Sequence, residues 1–559
     1  MRFLLVALRN LVALVLLVLA LPVRLFRRRA RPEYVRFRLK ADPPYRALPR
    51  WRSLFRREEA ATVRSLYELG KQLRSLGGDP SVKGIVIELE DFRGAAAKRD
   101  AVAGLLEALR ARGKEVIGYA ISADTSAYEL LLCCDRIVLS PAGRLDLIGF
   151  SAEATALGQG LRRMGIAAQF VRRGEHKTAP ELFTHDEVSE IQKKTLEMIL
   201  DERYQELISL LQKGRRLTAE EAKARVDEGP FSAKRAKERG LVDALVSEAD
   251  LGTFLAPAEA TKNRDGVPEV RIDSFAGYAR TLCLPPFYFS PWRRRARLSV
   301  VPIAGMIVHG RGGGAPMGPA ICGSEQVARS LRFAARDPRT RAVLLYVSSP
   351  GGSALGSELI LEEVRRVAKK KPVLAYFDRV AASGGYMAAL GANEIWSAPL
   401  AIVGSIGVFA GKFDLSKLFE RFGARRAIVS RGQNASIFTS SRPFTEAERA
   451  ALEADVEETY QAFLEHVAAA RRQAKEEIHA KAQGRIYSGR GAQKAGLVDK
   501  VGLFEEAGRR ALQLAGKEVE DFDVILHGAP PRRLRWLRLL QQTAATHLYA
   551  LWYPWVTVK

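Results

Sequence analysis

The chain of 559 residues is poor in the side chains that build disulfide scaffolds and metal centres, with only 4 Cys and 7 His. It has no CxxC spacing and no His-rich cluster, which excludes a disulfide framework and argues against a zinc site. We therefore expect neither a metal nor a cofactor. A hydrophobic share of 47% excludes a mainly disordered chain, and the length predicts at least two large domains.

Acidic residues are also in deficit, since 88 Lys and Arg face 63 Asp and Glu. Residues 24–57, 293–297 and 531–559 carry +20 of the net charge of +25. Aromatic side chains accompany each of these stretches, a combination typical of the headgroup region of an anionic membrane. The clustering favours membrane lipids as a partner over nucleic acid, whose binding proteins more often spread basic residues over a folded face. Simple solvated tails are the other alternative.

The N-terminal segment supports a membrane location. Residues 3–26 are apolar except for Arg9, Asn10 and Arg24. We predict an uncleaved transmembrane anchor over residues 1–31, followed by a basic segment at 32–57. A cleaved signal peptide remains the alternative, because the unbroken apolar core from residue 11 to 23 is short for a bilayer span. The positive-inside rule would place the arginines after this core in the cytoplasm.

The chain contains an internal repeat at an offset of 258 residues, which becomes 256 after a small gap. The matches include Asp79-Pro80 with Asp337-Pro338, Tyr128 with Tyr386, Ile148-Gly149 with Ile406-Gly407, Arg173-Gly174 with Arg431-Gly432, and GLVD at 240–243 with GLVD at 496–499. They indicate a duplicated domain. We predict repeats at 58–252 and 298–520, a linker at 253–297 and a basic, aromatic tail at 521–559.

Each repeat has the pattern of an α/β domain. Helix-period segments alternate with short β-branched apolar runs, which is typical of a parallel sheet with crossover helices. The predicted helices are 62–76, 98–112, 324–335 and 356–370, and the predicted strands are 84–90, 116–121, 342–348 and 373–378.

The two repeats differ at positions that could carry chemistry. The second has SSPGGS at 348–353, whose glycines could present backbone N–H groups to a carbonyl oxygen, although a plain strand-ending turn has the same pattern. It also has Ser383, followed by two glycines, where the first repeat has Thr125. Ser383 could be a nucleophile or a helix N-cap.

A serine nucleophile needs a base, and the first repeat offers Lys177 where the second has Ala435. One repeat thus has the lysine without the serine, and the other has the serine without the lysine. This reciprocal pattern predicts one composite site, although a surface location is the ordinary reading of a lysine. The amine must be buried to act as a base, because its usual pKa is about 10.4.

The motifs SSPGGS, RVAASGGYMAA, VGSIGVFA, RGEHKTAPELFT and YSGRGAQKAGLVD together resemble the signal peptide peptidase A (protease IV) family in its long, two-domain form. The resemblance implies tandem Clp-protease/crotonase-like α/β domains and a membrane-anchored serine endopeptidase with a Ser/Lys dyad. It also implies cleaved signal peptides and other hydrophobic peptides as substrates, a homotetramer, and a bacterial inner-membrane location with the catalytic domain facing the periplasm.

Carried over residue by residue, the resemblance places the nucleophile at Ser383 and the general base at Lys177. The oxyanion donors fall on the backbone N–H groups of Gly351, Gly352 and Gly384. Two other functions remain open, a crotonase-like acyl-CoA enzyme and a catalytically inactive membrane scaffold.

Overall fold

The computed structural model describes residues 11, 15, 31–45, 62–92, 94, 96–263, 265–282, 296–312, 321–517 and 523–526. Most of the predicted anchor, residues 46–57 of the basic segment, 283–295 of the linker, and the predicted tail except 523–526 lie outside the described residues. Within the described ranges, no helix has the length and apolar character needed to span a bilayer.

The described residues contain short and medium strands. They are β1 Tyr34–Lys40, β2 Gly84–Glu90, β3 Glu115–Ala120, β4 Ala123–Asp124, β5 Arg136–Leu139, β6 Arg144–Asp146, β7 Ala167–Arg173, β8 Phe231–Ser232, β9 Ala244–Leu245, β10 Ile272–Ser274, β11 Arg297–Ala304, β12 Met306–Val308, β13 Ile321–Gly323, β14 Thr340–Ser349, β15 Val373–Ala382, β16 Glu394–Ser397, β17 Ile402–Gly404, β18 Val408–Asp414, β19 Ile486–Tyr487, β20 Lys500–Val501 and β21 Asp523–Leu526.

Helices connect most of these strands. They are α1 Leu66–Gly77, α2 Ala96–Arg110, α3 Thr125–Leu131, α4 Gly158–Met164, α5 Glu181–Thr184, α6 Glu190–Arg215, α7 Ala219–Asp227, α8 Ala233–Glu238, α9 Leu251–Phe254, α10 Phe275–Leu282, α11 Ser324–Arg336, α12 Ala354–Ala368, α13 Gly384–Ala389, α14 Ser416–Arg421, α15 Glu446–Arg471, α16 Lys475–Lys481, α17 Gly489–Lys494 and α18 Phe504–Leu514.

The chain divides into two units, the first formed by Met1–Phe150 with Tyr204–Arg295 and the second by Ser151–Arg203 with Ala296–Lys559. Residues 151–203, which lie within the first repeat in sequence, therefore group with the second unit. The first unit contains a parallel sheet in the order β10-β1-β2-β3-β5-β9. Helix α1 packs on it through Leu66, Leu69, Leu73 and Leu76, which repeat at helical spacing and are all buried.

The second unit contains a sheet in the order β19-β17-β15-β14-β11-β21, with β16 and β20 continuing from β15. All its pairs are parallel except β17 with β19. The run Ala342–Leu345 in β14 is fully buried, as expected for an interior strand covered on both faces. Strand β15 continues beyond its pairing with β16 to pair with β17, so it carries the chain to Ser383.

The two repeats share structural details as well as sequence. The hydroxyl of Tyr128 donates to the Leu241 carbonyl oxygen in the first unit, and that of Tyr386 donates to the Leu497 carbonyl oxygen in the second. The aligned segments thus occupy equivalent places in two copies of one α/β fold.

Candidate active site

Ser383 lies at the junction between β15 and α13. Its backbone is in an unusual region for a residue with a side chain, with φ 53° and ψ −123°. Its N–H donates to the Gly404 carbonyl oxygen over 2.8 Å, which ties the junction to β17. The side chain makes no capping bond to α13, although it occupies the N-cap position. The structure therefore gives the hydroxyl no helix-capping role, and strain at such a position is a common property of functional sites.

The Lys177 amine reaches this hydroxyl. Its Nζ lies 3.1 Å from Ser383 Oγ, 2.9 Å from the Ser405 carbonyl oxygen and 3.0 Å from Ser405 Oγ. All three residues belong to the second unit. The composite arrangement expected from the reciprocal pattern of the repeats is thus present as a contact between two side chains that are 206 positions apart in the chain.

Burial changes the chemistry of this amine. Only 4% of the Lys177 surface is exposed, and this desolvation lowers the pKa of Lys177 to about 7. A substantial share of the molecules therefore carries a neutral amine near pH 7. A neutral amine has a lone pair that can accept a proton from a hydroxyl within hydrogen-bond distance.

An antiparallel ladder brings Lys177 next to Ser405. Strand β7 pairs with β18, with Arg173 opposite Val408 and Ala167 opposite Asp414. Lys177 follows the end of β7 by four residues, and Ser405 precedes β18 by three. The C-terminal end of β7 and the N-terminal end of β18 lie side by side. They therefore place the Lys177 amine next to Ser405, which binds it.

Glycines make the approach of Lys177 possible. Gly174 and Gly484 both have positive φ, 102° and 75°. A Cβ at position 484 would press against the backbone N and Cα of Lys177, closer than van der Waals contact allows. The lysine can therefore sit where it does only because residue 484 has no side chain.

The Pro-Gly-Gly turn lies against Ser383. A Cβ at Gly351 would be 2.8 Å from both the Gly384 N and the Ser383 Cβ, and a Cβ at Gly384 would be 3.4 Å from the Gly352 N. The Gly351 N–H already donates to Ser349 Oγ over 3.1 Å. Gly384 is the first residue of α13, so its N–H has no partner within the helix. All three predicted glycines thus lie close to Ser383. The Gly351 N–H is already bonded to Ser349, whereas the Gly384 N–H has no partner within the helix.

Ser405 was not among the candidate residues from the sequence, although it lies in the VGSIGVFA motif. It binds the Lys177 amine through both its carbonyl oxygen and its hydroxyl, from a backbone with φ 50°. Ser405 could have been identified by comparing the repeats, because Leu147 occupies the matching position in the first repeat. In the described part of the chain, no three His, Cys, Asp or Glu residues are grouped as a metal site.

Comparison with known proteins agrees with this chemistry. The model of peptidase family S49 matches the chain twice, over residues 108–261 and 365–518, which together are more than half of its length. The chain is 27% identical over 445 residues to the chloroplastic serine protease SPPA of Arabidopsis thaliana, an alignment that spans 79% of this chain and 64% of the relative. It is 29% identical over 475 residues to Protease 4 of Haemophilus influenzae, spanning 82% of this chain and 75% of the relative.

Among solved structures, a ClpP1 variant from Listeria monocytogenes is similar with a TM-score of 0.25 and 16% identity, covering 37% of this chain and 94% of that one. The double family match confirms the duplication predicted from the repeat. The chain belongs to peptidase family S49 and is a serine peptidase.

Proposed function

We propose that the protein is a membrane-anchored serine endopeptidase in which Ser383 is the nucleophile and Lys177 the general base. The observation that carries this proposal is the 3.1 Å separation of Ser383 Oγ from a buried Lys177 amine whose pKa is lowered to about 7. Serine is a weak nucleophile until a base accepts its proton, and a neutral lysine in contact with it is such a base.

In the acylation step, Ser383 Oγ attacks the peptide carbonyl carbon while its proton passes to the neutral Lys177 Nζ. The resulting ammonium is held by the carbonyl oxygen and hydroxyl of Ser405. It returns the proton to the leaving peptide nitrogen as the C–N bond breaks, which leaves an ester on Ser383. Water then attacks this ester and loses a proton to Lys177, and the Lys177 ammonium passes that proton to Ser383 Oγ as the bond between Oγ and the acyl carbon breaks.

The negative charge on the substrate oxygen needs backbone donors. We assign Gly352 and Gly384 as these donors, because the Gly351 N–H is already engaged by Ser349. Gly351 then shapes the turn, with φ 101°, and Gly352 follows with φ 144°. Such torsions are readily adopted only by glycine, so the turn that presents the donors depends on both residues.

A serine-directed label tests the nucleophile. We expect a fluorophosphonate probe to attach to the peptide that contains Ser383, as read by mass spectrometry, because the reaction needs an activated hydroxyl. Ser383→Ala is the matched control and should remain unlabelled. An unlabelled wild-type protein would favour the inactive scaffold, and a label on another serine would remove Ser383 from the mechanism. A crotonase-like acyl-CoA enzyme would leave the Ser383–Lys177 pair without a role.

The lysine pocket makes a second prediction, at Gly484. We expect Gly484→Ala to lower kcat/KM for peptide hydrolysis at least about 10-fold, because the new Cβ displaces the Lys177 backbone and misplacement by about 1 Å is costly. Gly516→Ala is the matched control, since Gly516 has a similar φ of 67° but open space around its Cα. Equal losses in the two variants would assign the effect to backbone strain instead of the lysine position.

We further propose that residues 1–31 anchor the protein in a bacterial inner membrane with the peptidase facing the periplasm, and that its substrates are cleaved signal peptides and other hydrophobic peptides. The apolar N-terminal segment and the neighbouring basic and aromatic residues support the anchor. We also propose a Clp-protease/crotonase-like domain fold and a homo-oligomer, with a tetramer as the form that the family resemblance implies.

The anchor is testable by alkaline extraction. We expect the full chain to stay with the membrane pellet and a chain lacking residues 1–31 to appear in the supernatant, as measured by immunoblotting, because an apolar span resists extraction that removes peripheral proteins. Release of the full chain would contradict the anchor. It would leave the peptidase proposal standing.

A further inference from the structure

Each repeat contains a corresponding segment in which a short helix separates two stretches of chain. In the second repeat it consists of β18, α14 and residues 425–430, and in the first it consists of residues 151–156, α4 and β7. The two segments correspond at the offset of 258. The glycine after each helix, Gly165 or Gly423, has a left-handed backbone with φ 86° or 68°. The correspondence therefore holds in backbone conformation as well as in sequence.

Only one of the two stretches in each segment forms a strand, and these two strands pair with each other. Strand β7, the second stretch of the segment in the first repeat, forms its ladder with β18, the first stretch of the segment in the second repeat. Residues 425–430 form no ladder within the described residues and are exposed throughout. Residues 151–156 also form no ladder in the described part of the chain. Within this stretch, Ala152 makes a single-residue bridge. Within the described residues, each repeat thus has one stretch that forms no ladder.

The composition of residues 425–430 suits a buried strand better than a surface loop. Ile428 is 42% exposed and Val429 is 86% exposed. Neighbouring β-branched residues favour extended backbone, and exposed apolar strand segments are sites of pairing with another chain. The segment also carries Arg425 and Arg426, whereas residues 151–156 carry Glu153.

We infer that residues 425–430 of one copy pair antiparallel with residues 151–156 of a second copy, repeating the β7–β18 ladder between chains. Moving the observed register by 258 residues places Ala427 opposite Ala154, Ile428 opposite Glu153 and Val429 opposite Ala152. Arg426 is then a diagonal neighbour of Glu153, within reach of a charge pair. This inference deepens the proposed homo-oligomer by naming its interface.

The contact is head-to-tail, because the two segments that meet are different. Every added copy leaves one segment of each kind free until a ring closes. A second copy is favoured over a lipid surface because the chain itself contains residues 151–156, which correspond to β18 of the observed ladder and therefore have a defined register.

Cysteine crosslinking tests the register. Two proteins, one with Ala154→Cys and one with Ala427→Cys, should form a disulfide-linked dimer on a non-reducing gel when they are mixed and mildly oxidised, since directly opposed residues meet the distance limit for a disulfide. Each variant alone controls for the native cysteines. Ala152→Cys with Ala427→Cys is the mismatched control and should link much less. No link in the matched mixture, or equal linking in both mixtures, would overturn the inference.

A charge exchange tests the assembly without crosslinking. Ile428→Glu places a carboxylate opposite Glu153 and should shift the mass by light scattering from multimer towards monomer, while Ile428→Glu with Glu153→Arg should restore the multimer. An unchanged mass in Ile428→Glu would overturn the interface. So would loss of binding to phosphatidylglycerol vesicles in Arg425→Ser/Arg426→Ser at unchanged mass, which would assign the segment to lipid.

Both tests are run in the Ser383→Ala background as well as in the wild type. Crosslinking does not need the hydroxyl, so a failed interface and a failed peptidase mechanism give different results. Loss of hydrolysis in Ser383→Ala with intact crosslinking would support both proposals.

Discussion

Replacement of Ser383 by alanine or glycine is expected to lower the rate of peptide hydrolysis by about 10³-fold or more, because neither variant has a nucleophilic oxygen. The two variants should differ in stability. Ser383 has φ 53°, which is strained for alanine and open to glycine. We expect the free energy of unfolding of the glycine variant to exceed that of the alanine variant by about 1 kcal/mol, as measured in urea.

This pair of variants separates chemistry from folding. Both lack the Ser383 hydroxyl, so both lose the same contact with Lys177. Retention of hydrolysis in either variant would exclude Ser383 as the nucleophile. A glycine variant less stable than the alanine variant would show that the backbone at this junction is not under strain.

Replacement of Lys177 by methionine is expected to abolish hydrolysis and to stabilise the protein near neutral pH. The folded-state pKa is lowered to about 7, whereas an unfolded lysine has a pKa of about 10.4. Below pH 7 both states hold the proton, so the whole cost of burying an ammonium opposes folding. Between pH 7 and about 10.4 only the unfolded state holds it, so wild-type stability rises with pH across this window.

The sign of the net effect depends on two opposed contributions. Removing the buried amine relieves a cost of a few kcal/mol. It also leaves the carbonyl oxygen and hydroxyl of Ser405 without this partner, which costs about 1–3 kcal/mol. We expect a gain on the order of 2 kcal/mol at pH 6, shrinking as the pH rises.

The gain should be measured by urea unfolding at several pH values. Lys494→Met, at an exposed position on α17, is the matched control and should change stability by less than about 0.5 kcal/mol. Wild-type kcat/KM should rise with pH through about 7, as the Lys177 amine becomes neutral. A pH-independent difference between Lys177→Met and the wild type would contradict a buried, titrating amine.

Local sequence patterns predict the elements of the fold well. The helix expected at 324–335 is Ser324–Arg336 in the structure, and the strand expected at 116–121 is Glu115–Ala120. The strand expected at 373–378 instead continues to Ala382. Its last residues pair with β17, and this partner lies about twenty positions further along the chain, so the local pattern contains no sign of it.

The candidate site was predictable to the extent that the two repeats diverge in sequence. Ser383 and Lys177 stand out because Thr125 and Ala435 occupy the matching positions. Ser405 could have been found in the same way, opposite Leu147. The burial of the Lys177 amine could not be predicted, because it depends on segments that are distant in sequence, such as Gly484 against the Lys177 backbone. The grouping of residues 151–203 with the second unit likewise follows contacts and not ancestry.

The distance along the chain between the amine and the hydroxyl has a consequence for biosynthesis. Lys177 is translated 206 residues before Ser383, and Ser405 is translated later still. A ribosome-bound or prematurely terminated product that ends between residues 177 and 383 therefore carries the proposed base without the proposed nucleophile. On the proposed mechanism, a newly made chain can assemble the complete group of Lys177, Ser383 and Ser405 only after residue 405 has been synthesised, which is late in translation.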